Sequence, residues 1–223
     1  AYGNVSTFDP QPNTYDYFKT EKTYVNNLSI DGGSEKMAYR FSYSNTQNNG
    51  YVPKNKLNRN TFILKVNSNI TDNLQIEAMA NYINQKVKGR PALSDASNNP
   101  AYLFISMPRS MSLASLSQYA WTEDEIKKQL GFSSSSLYPG LEKTYATNSS
   151  TANPYWTINK THNEDERDRV IGYFKASYSI FPWLQITGKT WLDYFYDRRL
   201  YWQAQGTWYT TNKNGAFSEY EIK

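Results

Sequence analysis

Few side chains in this chain could carry a reaction. It has one histidine and no cysteine. A Ser-His-Asp or Cys-His arrangement would have to use His162, inside the run THNEDERDR at residues 161–169. A catalytic histidine is oriented on its nucleophile by a third group, and a polar loop run supplies nothing to fix it. The sequence therefore predicts no enzyme and no cofactor. Glu164, Asp165, Glu166 and Asp168 of the same run are oxygen ligands of the kind Ca²⁺ takes, but the glycine and spacing of a loop site are missing. The run reads as charges paired among themselves at a strand's start, and no metal is expected. Asp31-Gly32-Gly33 reads as a turn, with no helix behind it to hold a phosphate.

Binding has more material. Sugar recognition sets aromatic faces against pyranose rings, beside amides and carboxylates that bond the hydroxyls. Tyr155, Trp156, Tyr201, Trp202, Trp208 and Tyr209 are the candidate substrate-binding residues. Their competing reading is loop packing, or an aromatic girdle at a membrane surface.

These residues hang on elements that period-two alternation identifies as strands. Strands are expected near 22–30, 36–46, 59–69, 74–87, 169–180, 184–201 and 216–223. Tyr39, Phe41, Phe62, Leu64, Ile76, Phe174 and Leu192 fall on one side, and Arg40, Lys65, Glu77 and Lys175 on the other. The long connection at 89–164 breaks the rhythm. Within it Thr122 and Glu125 form a capping box, acids fill the first turn, and a helix should run to Leu130 before Gly131. A weaker helix is expected over residues 101–107.

Connection lengths alternate strictly. Those at 31–35, 70–73 and 181–183 are short, while 47–58, 89–164 and 202–215 are longer. A transmembrane barrel sorts its connections this way, and a Greek-key sandwich has no reason to. Both folds are all-β and antiparallel, so the alternation leaves a soluble sheet as the other reading. A barrel would need strands beyond these six or seven, because the smallest bacterial barrels have about eight.

Composition narrows the classes. In 223 residues the hydrophobic share is 39% and the aromatic share 16%, with 20 Tyr and 6 Trp. That is thin for a large water-excluding core and rich for an interfacial β-structure. A net charge of +4 from 24 basic and 20 acidic residues is too mild to imply nucleic acid. No apolar run approaches the ~18 residues of a membrane helix.

The order NNLSIDGGSEKMAYRFSYSNTQNNGYVPKNKLNRNTFILKVNSNITDNLQIEAMANY, from residue 26, resembles the early barrel strands of the SusC/RagA-like TonB-dependent transporters of Bacteroidetes outer membranes. The matching features are Asp31 to Lys36, Tyr39, Gly50, Arg59 and Asn67. A second block, residues 153–199, is similar to the same family. The resemblance implies part of a barrel of about 22 strands in the bacterial cell outer membrane. It also implies import of oligosaccharides or peptides, a SusD-like surface lipoprotein as lid, and TonB-ExbB-ExbD as the energy source. The plug, the TonB box and the closing strand of that pattern are not seen in these residues. The alternative function is a soluble β-rich carbohydrate-binding module or glycoside hydrolase domain.

Overall fold

The computed structural model describes residues 9–11, 14–129, 137–144, 152–208 and 216–222. One antiparallel sheet carries most of the chain. Its strands are β1 (Lys22–Gly33), β2 (Met37–Asn49), β3 (Lys56–Asn69), β4 (Leu74–Lys88), β5 (Thr161–Phe181), β6 (Leu184–Gln203) and β7 (Ala216–Ile222). Each pairs with its sequence neighbour, so spatial order equals chain order, and among the described residues β1 and β7 are the edge strands. With β5 at 21 residues and β6 at 20, the sheet far exceeds ordinary strand length.

The short turns lie together at one end, called here the lower end. Ser34 and Met37 exchange both backbone bonds around the first. Thr71 Oγ1 accepts from the backbone N–H of Asn73 and Leu74 in the second. Phe181 pairs with Leu184 across Pro182-Trp183 in the third, just after a register shift. At the upper end Gly89 takes φ 61° as β4 leaves the sheet, where a side-chain carbon would sit 2.7 Å from the Lys54 carbonyl.

β5 begins at Thr161, eight residues before the expected start at 169. The charge run is therefore strand rather than loop. Cross-strand partners hold it there: Lys86 opposite Glu166, Lys88 opposite Glu164, and Arg167 opposite Asp197.

The long connection is the second correction. Between β4 and β5 the described residues include four helices: α1 (Pro100–Ser106), α2 (Leu113–Ser117), α3 (Glu123–Gln129) and α4 (Pro154–Lys160). Each start is written in its capping residue. Asn99, Ser112 and Asn153 side chains accept backbone N–H bonds from Ala101, Ser115 and Tyr155, and Pro100 and Pro154 stand where a lost N–H costs nothing. The capping box forms as expected, Thr122 N–H donating to Glu125 and Glu125 N–H to Thr122. Leu130 and Gly131, expected at its end, lie outside the described residues.

These helices bury the molecule's hydrophobic core. Phe104, Met107 and Leu116 pack on Tyr17 from a 3₁₀ turn at Thr14–Tyr17 ahead of β1. Among the described residues Val87 is the one buried hydrophobic that belongs to a strand. Among the described residues no element packs on the sheet's apolar face.

Candidate functional site

Directly opposed residues in a sheet share a face, so the register sorts every strand residue to one side. One face carries rows that run unbroken across six strands. Leu28, Tyr43, Phe62, Tyr82, Val170 and Tyr194 form one such row. Below it lie Ile30, Phe41, Leu64, Ala80, Gly172 and Leu192. These side chains are open: Leu64 is 47% exposed and Leu192 57%. On β5 the apolar stretch covers residues 170–180, about 33 Å at ~3.3 Å per residue. Tilted by about 40° it spans roughly 25 Å, the height of the apolar band on an outer-membrane barrel.

Aromatic groups mark both margins of this band. At the top, Tyr43 stacks on Phe62 at 4.8 Å and Phe62 on Tyr82 at 6.2 Å. Their hydroxyls point on to polar partners, Tyr43 to Asn60 at 2.9 Å and Tyr82 to Asp168 at 2.5 Å. At the bottom, Phe181 stacks on Trp183 at 5.5 Å, both exposed.

Above the upper aromatic row the same face turns polar in steps. The next row is Asn26, Asn45, Asn60, Asn84, Asp168 and Tyr196. Asn45 donates to the amide oxygens of Asn60 and Asn58, and Asn84 donates to Asp168. Higher still stand Lys86 and Lys88 paired with Glu166 and Glu164, and Arg198 paired with Glu219.

The opposite face is charged and laced. Asp31 pairs with Arg40, Glu77 with Lys175, and Arg169 with Asp193 at 2.5 Å. Tyr173 donates to Glu77, and Lys189 lies 4.4 Å over the Tyr173 ring. Higher on this face Asp197 takes both Arg167 and Arg199, and Arg90 reaches Asp165 at 2.5 Å. Ile63, Met79, Ile171 and Trp191 interrupt it, so the face is mixed rather than purely polar.

Two carboxylates organise the helical cap above this face. Glu142 is buried and accepts the backbone N–H of Asn153 at 2.6 Å and of Trp208 at 2.7 Å. Asn153 returns two bonds, to the carbonyls of Leu116 and Lys143, so one residue joins α2, the segment after α3, and α4. Glu125 caps α3 and meets Lys143 Nζ at 2.7 Å. Lys143, and behind it the Thr122 N–H, hold the Glu125 carboxyl below its usual range. Burial, with Tyr155 nearby, pushes the Tyr17 phenol far above its range. Tyr17 thus stays a donor, bonding the Pro154 carbonyl at 3.0 Å.

The five aromatic candidates among the described residues do not converge. Tyr201 alone lines the cleft beneath the cap, a cavity of about 90 Å³ shared with Lys54, Arg90, Asn163 and Ile158. Trp202, the next residue along β6, falls on the other face, 5.0 Å from the His162 ring. Trp156 is 1% exposed and gives its indole N–H to Thr207 at 3.0 Å. A sugar could not stack on it without opening the cap, which corrects its expected role. Tyr155 is half-buried and meets Tyr17 edge-on at 5.1 Å. Trp208 is fixed through its backbone to Glu142, and Tyr209 lies outside the described residues. Lys54, Arg90 and Asn163 gave no periodic signal by which sequence could find them.

Among the described residues no group of His, Cys, Asp or Glu is placed to hold a metal, and no helix is long and apolar enough to cross a membrane. No family model matches the chain, and no curated protein matches it.

Proposed function

We propose that this sheet is part of the wall of an outer-membrane β-barrel, in a TonB-dependent importer of the SusC/RagA-like kind. The observation that carries the reading is the exposed apolar band, of bilayer height and rimmed by aromatics, with no described element packed on it. A soluble sandwich or carbohydrate-binding module would cover that face. Closure needs further strands on the open edges of β1 and β7, since unpaired backbone groups in lipid cost several kcal/mol each.

In this reading the charged face lines the lumen, the short turns face the periplasm, and the helical cap stands at the cell surface. The work is transport without a covalent step: oligosaccharides or peptides enter past the cap, under a SusD-like lid, with TonB-ExbB-ExbD supplying energy. The cap offers the lid an apolar footing at Leu93 and Ile105, exposed by 79% and 78%. Removing residues 114–147 would be a poor probe of that docking, because it takes out the buried Leu116 and Leu141. Leu93→Glu with Ile105→Glu leaves the core intact and should abolish co-purification of the lid.

The deciding experiment uses lipid-borne quenchers. Trp183 and Trp191 sit on β6 and its turn, and brominated acyl chains should quench a tryptophan placed at Leu64 or Phe174 strongly, and one placed at Lys65 weakly. Equal quenching at both faces, or none, would remove the membrane reading in favour of a soluble sheet.

A further inference from the structure

We infer that the polar margin above the apolar band is a recognition strip for the headgroup of a phosphorylated glycolipid; this rests on the membrane-wall reading. Each carboxylate there is already taken: Glu166 by Lys86 at 2.5 Å, Glu164 by Lys88 at 3.7 Å, Glu219 by Arg198 at 2.5 Å. Glu221 takes the Tyr196 hydroxyl at 2.5 Å, and Asp168 takes Tyr82 and Asn84. Two cations remain without a partner among the described residues, Lys22 and Lys56, both exposed. They stand in one cross-strand row on either side of Asn49, so their backbones are about 10 Å apart at ~4.8 Å per strand.

Amides fill the space between these lysines and the aromatic row. Asn26 stands open, and Asn58 and Asn60 spend their side-chain oxygens on Asn45 and Tyr43, leaving their N–H₂ groups to donate outward. The strip thus offers two cations for phosphates, amide donors for sugar hydroxyls, and aromatic rings where acyl chains begin. A choline headgroup has no hydroxyl for the amides and carries its own cation. A glycerol-phosphate headgroup would use the lysines and few of the amides. A sugar bearing phosphates uses all three layers.

The test reconstitutes the full protein that carries these strands into vesicles of phosphatidylcholine alone, with phosphatidylglycerol, or with lipid A at matched charge. Lipid retained after detergent extraction is counted by native mass spectrometry. Lipid A should be retained about tenfold over phosphatidylglycerol, a difference of about 1.4 kcal/mol and the scale of one or two amide–hydroxyl bonds added to the lysine–phosphate pairing that both anionic lipids share. Lys22→Gln with Lys56→Gln should erase most of that preference, as should Asn58→Leu with Asn60→Leu, while Lys65→Gln on the other face should leave it unchanged. Should the glutamine pair impair assembly, Lys22→Arg with Lys56→Arg should keep the preference. Equal retention of the two anionic lipids, or a preference that survives both double variants, overturns the inference and leaves the wall reading standing. Failure to insert into any of the vesicles overturns both.

Discussion

The sheet and the cap solve opposite problems with the same chain. The cap hides its apolar groups: Leu103 and Trp156 are 0% and 1% exposed, and buried polar groups such as Glu142 and Asn153 are bonded on several sides. The sheet displays its apolar groups and instead spends its backbone on long, regular ladders. One region is built for water outside and oil inside. The other leaves an apolar face exposed and carries ion pairs on the opposite face. Among the described residues Val87 is the one buried hydrophobic of the strands, so apolar burial adds little to the sheet and its backbone ladders carry more of its stability.

Substitutions at particular residues separate the cap from the sheet. Trp156→Ala should have the largest effect, about 3–5 kcal/mol lost from the cap, read as faster hydrogen exchange in α1 and α4 with β2 to β4 unchanged. If the strands loosen equally, cap and sheet are one cooperative unit. Leu64→Arg or Phe174→Arg comes next, at about 2–4 kcal/mol by denaturation from bilayers, against near zero for Lys65→Arg. An exposed position in water would lose under about 0.5 kcal/mol, so the two readings separate cleanly.

Glu142→Gln should cost about 1–3 kcal/mol, since an amide N–H₂ would face a backbone donor that now meets a carboxylate. Proteolysis near residues 142 and 208 would report it. The smallest effect is pH-dependent. Glu125 has its pKa lowered in the fold, so its support for α3 is complete above the unfolded value of about 4.3 and is lost as pH falls through the lower folded value. The protection of α3, its exchange rate relative to the intrinsic rate at each pH, should therefore fall on going from pH 5 to pH 3, and Glu125→Gln should remove that dependence. A cap that stays equally protected at both pH values would deny the carboxylate this role.

Much of the sheet is legible because alternation is local. Tyr39, Phe41 and Tyr43 announce one face of β2 by themselves, and Asp31-Gly32-Gly33 and Thr71-Asp72-Asn73 announce turns. The start of β5 was not legible, since a run of acids and arginines looks solvated until Lys86, Lys88 and Asp197 stand opposite it. The cap was half legible. Thr122 with Glu125 announced α3, and a weaker helix was expected where α1 lies, but α2 and α4 were not expected, and nothing local says that α4 packs on α1 and α2 or that Tyr17 closes the cluster.

Local residues thus specified the strands, their short turns and the capped helix at Thr122, because periodicity, turn chemistry and caps depend on residues only a few positions apart, while α2, α4 and the first eight residues of β5 did not show. Tertiary structure alone decided the rows. Asn26, Asn45, Asn60 and Asn84 are 19, 15 and 24 positions apart, and become one ladder only when hairpin turns fix the register. The same holds for the candidate site. Tyr201 and Trp202 are neighbours in the chain, but the pleat sends one to the cleft and the other to the opposite face. Trp156, which composition alone cannot tell from a binding aromatic, is committed to the core by Thr207, 51 residues away.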